Sequence, residues 1–261
     1  MNMKFLIPLL AFSLLIGCDG EKRNEPTSKD PPKEAAPEVK PPEAISVNPN
    51  LKYVIKGDTV TITGCDKKAS GHLIIPATIK GKTVTTISYA FLRCTSLTNI
   101  TIPEGVTSIG AGAFQFCTSL TSITIPDTVT SIGTAAFLRC TSLTSITIGS
   151  SVSSIGTDAF RDCTNLTSIT IPDSVTSIGF GAINSCTSLT SITIGDSVTS
   201  IGRFAFLACS SLTAVTFLGD APKIENDAFK KSSPTIYREP DAKGWGDTLA
   251  GRPVKLITEK P

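Results

Sequence analysis

The sequence contains few aromatic residues, few charges and a single histidine. Phe, Trp and Tyr make up 6% of the 261 residues and charged residues 18%, and the formal net charge is +2. A nucleic-acid-binding protein needs a cationic surface, so we expect no nucleic-acid partner. The many Ser and Thr hydroxyls lack a neighbouring His or buried Lys that could activate them. We therefore expect no enzyme active site and no cofactor.

No apolar run at the start of the chain has the roughly 20 residues needed to span a bilayer. Instead, Lys4 precedes a short apolar run over residues 5–16, the order typical of a secretory signal. The segment ends in Leu-Ile-Gly-Cys18, which resembles the lipobox of bacterial lipoproteins. The resemblance implies that residues 1–17 are removed and that a lipid on Cys18 anchors the chain to a membrane outside the cytoplasm. The alternative is a plain cleaved signal with an incidental cysteine.

Residues 18–50 are rich in Pro, Lys and Glu and contain few large aliphatic residues. Such a segment cannot bury enough apolar surface to offset the entropy lost on ordering. Proline keeps it extended, so we predict a disordered tether that holds the folded part away from the membrane. Its lipidated end would place the domain in the periplasm or at the cell surface.

An internal repeat dominates the remaining sequence. Six cysteines recur every 23 residues, namely Cys94, Cys117, Cys140, Cys163, Cys186 and Cys209. Each copy carries the pattern L-x-x-I-x-I, and a period of 20–29 residues with this pattern is typical of leucine-rich repeats. The two isoleucines lie two positions apart, so both point to one side of a strand while Ser and Thr point to the other. Apolar residues at Val129 and Ile132 start a second buried stretch, and Gly133 permits the next corner.

These features predict a repeat solenoid of mainly β structure. We expect a parallel concave sheet, a short second β column, and turns or short helical turns on the convex side. Each rung buries its apolar groups only against its neighbours, so both ends need caps.

The rung pattern A-F-x-x-C-x-x-L-x-x-I-x-I-P-x-x-V-x-x-I-G resembles the BspA-type leucine-rich repeats of bacterial surface proteins. The resemblance extends from about Lys52 to Ile257. It implies an N-terminal cap hairpin over residues 51–71, repeats over 72–231, and a C-terminal cap and tail over 232–261. Gly149 and Gly195 depart from the pattern by replacing the proline that ends the strand.

The cysteine column and the acidic column each allow two interpretations. Disulfides between rungs are possible by distance, but parallel side chains do not give the torsion that a disulfide requires. We expect the six cysteines to be buried free thiols, and Cys65 has no evident partner. Carboxylates recur at Glu104, Asp127, Asp173 and Asp196. A calcium ladder needs more oxygen ligands than one carboxylate per rung, so turn residues bonded to their own backbone are favoured and we expect no metal site. The lone His72 is expected to be structural.

The resemblance and the strand alternation together place a candidate binding face on the concave sheet. Its residues are Asn99, Thr101, Ser122, Thr124, Ser145, Thr147, Ser168, Thr170, Ser191 and Thr193. We expect a monomeric, membrane-anchored binding or adhesion module for a protein or glycan. The alternatives are a structural envelope spacer and an ice- or crystal-binding hydroxyl array. A second candidate surface is the convex side, where variable residues cluster, namely Phe116, Arg139, Arg161, Phe180, Arg203 and Phe204.

Overall fold

The computed structural model describes residues 48–260. The predicted signal segment, Cys18 and the tether up to residue 47 lie outside the described residues. In chain order the strands are β1 (Leu51–Lys56), β2 (Thr59–Cys65), β3 (Ser70–Ile74), β4 (Thr78–Ile79), β5 (Lys82–Ile87), β6 (Ser96–Thr101), β7 (Ser108–Ile109), β8 (Ser122–Thr124), β9 (Ser131–Ile132), β10 (Ser145–Thr147), β11 (Ser154–Ile155), β12 (Ser168–Ile171), β13 (Ser177–Ile178), β14 (Ser191–Ile194), β15 (Ser200–Ile201), β16 (Ala214–Phe217), β17 (Lys223–Ile224), β18 (Thr235–Arg238), β19 (Thr248–Leu249) and β20 (Arg252–Leu256). A 3-10 helix follows at Ile257–Glu259.

The strands form two columns that run along a solenoid, with one strand of each column per rung. The short-strand column is continuous, in the order β1-β2-β5-β7-β9-β11-β13-β15-β17, and β4 pairs with β5. The long-strand column contains β3, β6, β8 and β10 in one sheet and β12, β14, β16, β18 and β20 in another. All pairs between rungs are parallel and in register, as in Ser145 opposite Ser122. The remaining side of each rung consists of turns, as the repeat pattern predicts.

The core is a stack of equivalent apolar side chains. Four phenylalanines stack face to face from Phe91 to Phe160, with ring centroids 5.0–5.3 Å apart. Ile183 interrupts the stack and is itself fully buried, and Phe206 and Phe229 resume it. Burying each such side chain contributes about 1.5–3 kcal/mol. Because every rung contacts only its neighbours, this contribution depends on the stack as a whole.

The long-strand column divides into two sheets between β10 and β12. Between the regular rungs, whether two neighbouring strands pair correlates with the residue that comes after the later strand of the two. β8 and β10 pair over three positions and β12 and β14 over four, and in both cases the second strand is followed by glycine, Gly149 or Gly195. β6 and β8 pair at a single position, and β10 and β12 do not pair; there the second strand is followed by Pro126 or Pro172.

The missing proline N–H explains this difference. The amide of Gly195 donates a hydrogen bond to the carbonyl of Ile171 in the preceding rung at 3.0 Å, and Leu218 donates in the same way to Ile194. Pro172 has no amide hydrogen and cannot make the equivalent bond. The strand-ending proline lacks this ladder bond at the junction between β10 and β12, where the strands separate. β3, which contains a bulge, pairs fully with β6.

Both ends of the solenoid are closed by antiparallel pairs. At the N-terminal end β1 and β2 form a hairpin that turns at Gly57, whose φ is +60°. At the C-terminal end β19 pairs antiparallel with β20. Trp245 packs edge-on against Phe217 and donates from Nε1 to the carbonyl of Gly219. β18 and β20 also extend the long-strand column beyond residue 231, so the C-terminal segment continues the sheet as well as covering it.

Candidate functional site

The ten predicted face residues lie on one side of the long-strand column, and we call them the hydroxyl face. They form two parallel rows, which are Asn99, Ser122, Ser145, Ser168 and Ser191, and Thr101, Thr124, Thr147, Thr170 and Thr193. The isoleucines between them point into the core. The structure thus brings the predicted residues together on one surface, although the sheet is interrupted between Thr147 and Ser168.

Most hydroxyls of this face are free to bind a ligand. Thr124, Ser145, Thr147, Ser168 and Thr170 are exposed and make no side-chain hydrogen bond to any other described residue. The threonines that start each strand behave differently. Their hydroxyls donate to the carbonyl of the equivalent residue one rung earlier, for example from Thr121 to Thr98 at 3.1 Å. Two kinds of threonine therefore alternate, one that joins rungs and one that faces solvent.

Two clefts cross the hydroxyl face where the strands separate. One, of about 290 Å³, lies between β6 and β8 and is lined by Asn99, Thr101, Ser122, Thr124 and Pro126, among others. The other, of about 350 Å³, lies between β10 and β12. Its lining includes Thr147, Thr170, Pro172 and the half-buried Ile146. Both clefts coincide with the proline junctions, and a carboxylate also lines each one, Glu104 in the first and Asp127 in the second. Only the second exposes part of an isoleucine, Ile146.

Sequence reasoning missed the residues at the two ends of this face. His72 and Ile74 lie in β3, in register with Asn99 and Thr101. The imidazole Nε2 of His72 is 2.7 Å from the hydroxyl of Thr101, and Ile74 is 58% exposed. His72 therefore lies on the face. Residues of β3 pair with residues 26 or 27 positions later in β6, so the 23-residue repeat could not reveal this placement.

At the C-terminal end the same row continues through Thr216 to Tyr237, but it is covered. Thr216 is 3% exposed and Tyr237 7%. Lys260 Nζ donates to the Thr216 hydroxyl at 3.2 Å and lies 5.9 Å from the Tyr237 ring centroid. Aligning Tyr237 with the row requires a step of 21 residues from Thr216, which again departs from the 23-residue repeat. The accessible part of the hydroxyl face therefore runs from His72 to Thr193.

The second candidate surface is a ridge of turns next to the cysteines. The residue before each cysteine, and before the equivalent Ser232, has a positive φ of 56–60°, and these residues are Arg93, Phe116, Arg139, Asp162, Ser185, Ala208 and Lys231. A left-handed conformation at a residue other than glycine costs about 1 kcal/mol. Arg93 and Arg139 both lie 5.5 Å from the ring centroid of Phe116, and Arg139 Nε is 3.2 Å from Asp162 Oδ2. These side chains are thus largely paired with one another.

Phe180, Phe204 and Arg203 form a second group on the turn side. The two rings meet edge to face at 5.5 Å, and the Arg203 guanidinium lies 4.4 Å from the Phe204 centroid. Arg203 also pairs with Asp227 at 2.9 Å, and this bond lowers the pKa of the Asp227 carboxyl. Arg161 pairs more loosely with Asp158 at 3.8 Å. The six variable residues fall into two separate groups rather than one continuous surface.

The acidic column joins rungs. Asp127 Oδ1 accepts hydrogen bonds from the amide and hydroxyl of Ser150 in the next rung, at 2.7 and 3.0 Å. These bonds lower the pKa of Asp127. Asp173 accepts from the amide of Asp196 in the same way. The prediction that each carboxylate bonds its own backbone is wrong, because the in-register rung places a nearer donor. No group of three or more His, Cys, Asp or Glu side chains that could hold a metal occurs among residues 48–260.

The cysteine column has a hydrogen-bonding role that the sequence did not reveal. The thiol of Cys117 donates to the carbonyl of Phe91, and Cys140 donates to that of Phe114, each at 3.1 Å. The same bond recurs at Cys163, Cys186 and Cys209. At the position of the next cysteine, the Ser232 hydroxyl donates to the Phe206 carbonyl at 2.6 Å. The cysteines therefore satisfy buried backbone acceptors in addition to filling space.

Comparisons with known proteins agree with this architecture. The family profile described as BspA type leucine rich repeat region matches residues 73–182 and 135–238 in six copies. No curated protein shows significant similarity in sequence. A leucine-rich repeat protein from T. pallidum of known structure is 31% identical, with 70% of this chain and 86% of that chain covered and a TM-score of 0.65. A leucine-rich repeat protein from Bacteroides ovatus is 23% identical over 74% of this chain and 70% of that chain, with a TM-score of 0.49. The predicted leucine-rich-repeat solenoid is confirmed.

Proposed function

The chain belongs to the BspA-type leucine-rich repeat family, and we propose that it is a non-catalytic binding module held outside the cytoplasm by a lipid on Cys18. The proposed ligand is an extended, hydroxyl-rich polymer such as a neutral glycan. Free Ser and Thr hydroxyls exchange hydrogen bonds with sugar hydroxyls as both donors and acceptors. The two rows over residues 99–193 carry no charged side chain, and the carboxylates that line the clefts, Glu104 and Asp127, can accept hydrogen bonds from sugar hydroxyls.

The observation that carries this proposal is the pair of proline-linked clefts on the hydroxyl face. The cleft between β10 and β12 places the half-buried Ile146 next to the free hydroxyls of Thr147 and Thr170, the combination that small-molecule sites use for packing and orientation. The cleft between β6 and β8 offers the free hydroxyl of Thr124 beside Asn99 and Ser122. Two rungs separate the clefts, and adjacent strands lie about 4.8 Å apart, so they are roughly 10 Å apart along the solenoid. A polymer can therefore occupy both clefts at once and gain avidity from weak individual contacts.

Binding to an array of neutral oligosaccharides and polysaccharides tests the ligand class. We expect undetectable binding to monosaccharides and an affinity that rises at least about tenfold as the oligosaccharide becomes long enough to span both clefts. An array of extracellular-matrix proteins provides the comparison. Tight binding to a matrix protein without glycan binding would contradict the glycan assignment. Binding to neither array would favour the envelope spacer.

The regular hydroxyl rows also raise the alternative of an ice- or crystal-binding array. Such a surface must match a lattice over its whole length. The interruption between β10 and β12 and the covered end at Thr216 leave no long uninterrupted grid. The structure therefore favours the binding module over the crystal-binding alternative.

The lipid anchor is tested separately from the ligand. Among residues 48–260 no helix is long and apolar enough to cross a membrane. We expect Cys18→Ala to abolish labelling with a fatty-acid probe and to leave the chain uncut or released as soluble protein. Protease treatment of intact cells then distinguishes display on the surface, where the repeats are digested, from a periplasmic location, where they are protected. Unmodified mature protein that begins at another residue would contradict the anchor.

A further inference from the structure

The C-terminal end of the hydroxyl face leads to a phenol ring, that of Tyr237. In the threonine row, Thr193 pairs with Thr216 and Thr216 pairs with Tyr237, in register across parallel strands. Adjacent strands lie about 4.8 Å apart, so Tyr237 lies roughly 10 Å beyond Thr193 along the row. Among the described residues, Tyr237 is the one Phe, Tyr or Trp in the two rows. A ligand that follows the row would therefore reach a single aromatic ring.

The side chain of Lys260 lies against this ring. Its Nζ atom donates to the Thr216 hydroxyl at 3.2 Å and lies 5.9 Å from the centroid of the Tyr237 ring. Tyr237 is 7% exposed and Thr216 3%, whereas Thr170 in the same row is exposed. One ammonium group thus contacts residues of two neighbouring strands, β16 and β18, from a segment that follows β20.

Weak contacts hold this segment in place, and we call its residues, 257–260, the strap. The 3-10 helix Ile257–Glu259 buries none of its residues, and Lys260 is itself exposed. The Glu259 carboxylate accepts a hydrogen bond from the amide of Leu256, which is local to the segment. A hydrogen bond and a cation–π contact at an exposed lysine each contribute little to stability. A ligand can therefore displace the Lys260 side chain at low cost.

A hollow connects the accessible part of the face with Tyr237. It has a volume of about 310 Å³, and its lining includes Ser191, Ala214, Tyr237 and Lys260. Ala214 is in register with Ser191, so a methyl group stands at this position of the serine row. A ligand that lies on the rows therefore meets an apolar methyl group and the phenol ring, with Lys260 beside them.

We propose that Tyr237 is a latent subsite for one sugar ring, which a bound glycan opens by displacing Lys260. The proposal rests on the glycan-binding function proposed above. The C–H groups of a sugar ring form an apolar face that packs on an aromatic ring, and the phenol hydroxyl can donate and accept hydrogen bonds beside it. Because the strap covers the ring in the absence of ligand, the apparent affinity of the wild type is lower than that of the open state.

Tyrosine nitration tests the strap without any ligand. The full chain and its variants are treated with tetranitromethane, and nitrated peptides are quantified by mass spectrometry, with the 55% exposed Tyr89 as internal reference. We expect little nitration of Tyr237 in the wild type and at least about threefold more in Lys260→Ala. Lys223→Ala is the control with the same change in charge, because Lys223 is exposed in the other strand column. Unchanged nitration of Tyr237 in Lys260→Ala, or an equal rise in both variants, would overturn the strap.

Polysaccharide binding tests the subsite. Lys260→Ala should bind the polysaccharide that the wild type binds about three- to tenfold more tightly, because no strap has to be displaced. Adding Tyr237→Thr, which restores the residue type of the row, should remove this gain. Equal affinity of Lys260→Ala and wild type, with Tyr237 newly nitrated, would overturn the subsite and leave the glycan function standing. If neither protein binds any polysaccharide, the glycan function fails and the subsite with it, and nitration still decides whether Lys260 covers the ring.

Discussion

At the residue scale, the repeated cysteine acts as a buried hydrogen-bond donor as well as a small core residue. Five cysteines and Ser232 donate to the carbonyl at the equivalent position one rung earlier. An unpaired buried carbonyl costs about 1–3 kcal/mol. A residue here must therefore be small and must carry a donor, a requirement that Cys and Ser meet and Ala does not.

A substitution at Cys140 distinguishes these two requirements. Cys140→Ala leaves the Phe114 carbonyl without its partner and opens a small cavity, so we expect a loss of about 1–2 kcal/mol in the free energy of unfolding. Cys140→Ser keeps the donor, as Ser232 does at 2.6 Å, and should cost less than Cys140→Ala. Urea unfolding monitored by circular dichroism gives both values. If Cys140→Ser were the more destabilising variant, apolar packing alone would explain the column.

Burial of the thiols also predicts a loss of stability at alkaline pH. Burial raises the pKa of Cys117 and Cys209 to about 12, and it also raises the pKa of each of the three thiols between them. The unfolded chain ionises its thiols near pH 8.5. The un-ionised thiols therefore contribute their full stabilisation of the fold below about pH 8.5. Between that pH and the pKa of each thiol in the folded chain, the free energy of unfolding falls by up to about 1.4 kcal/mol per pH unit for each thiol.

Urea midpoints at pH 7.5 and pH 10 measure this effect. The midpoint should fall markedly at the higher pH, and the double variant Cys117→Ser with Cys209→Ser should show a smaller fall. Equal falls in the two proteins would indicate that other groups cause the alkaline unfolding.

At the element scale, proline at one position of the repeat accompanies strand separation between the regular rungs and glycine accompanies pairing, whereas β3 and β6 pair although Pro103 follows β6. A proline there removes the amide donor and separates the strands, as between β10 and β12. Glycine retains the donor and lets the backbones approach closely. A Cβ atom on Gly195 would lie 2.6 Å from the Cα of Asp173 and from the carbonyl carbon of Pro172. The sequence therefore encodes a sheet with openings at defined rungs.

Pro172→Gly should restore pairing between β10 and β12. The new amide can donate to the carbonyl of Ile148, as Gly195 does to Ile171 at 3.0 Å, and glycine has no Cβ to collide with the preceding rung. We expect slower hydrogen–deuterium exchange over residues 145–171 and weaker glycan binding, since the cleft at Ile146 closes. Pro103→Gly is the matched control, because β3 and β6 already pair over five positions. The same change in exchange in both variants would show that proline does not control strand separation.

A structural feature could be predicted from the sequence more readily when it follows the 23-residue repeat. The strand rows and the buried columns repeat at 23 residues and were accessible from the sequence, whereas the hydrogen bonds that join the rungs, such as those of Cys117 and Asp127, were not. Features that depart from the period were not. His72 joins the hydroxyl face through a pairing step of 27 residues to Asn99, and Tyr237 through a step of 21 residues from Thr216. The strand separation at Pro172 was missed because proline was considered only as the end of a strand.

At the scale of the whole molecule, the solenoid offers two surfaces of different character. The hydroxyl face is continuous over several rungs, uncharged and free of internal hydrogen bonds over most of its rows. The turn side carries Arg and Phe, the residue types that most often supply interface energy. Those side chains are engaged with each other, however, as Arg139 is with Phe116 and Asp162. A ligand would have to replace these contacts, which favours the hydroxyl face.

The most direct test compares these two surfaces on the same polysaccharide and matrix-protein arrays. One variant combines Thr124→Lys, Thr147→Glu and Thr170→Lys, with alternating charge so that adjacent rungs do not repel. The other combines Arg139→Ala and Arg161→Ala. We expect the first to lose at least about tenfold in polysaccharide binding, with a melting temperature within a few degrees of wild type, because the replaced side chains are exposed and unbonded. The second should bind like wild type. Unchanged binding by the threonine variant together with lost binding by the arginine variant would place the ligand on the turn side and contradict the proposed site.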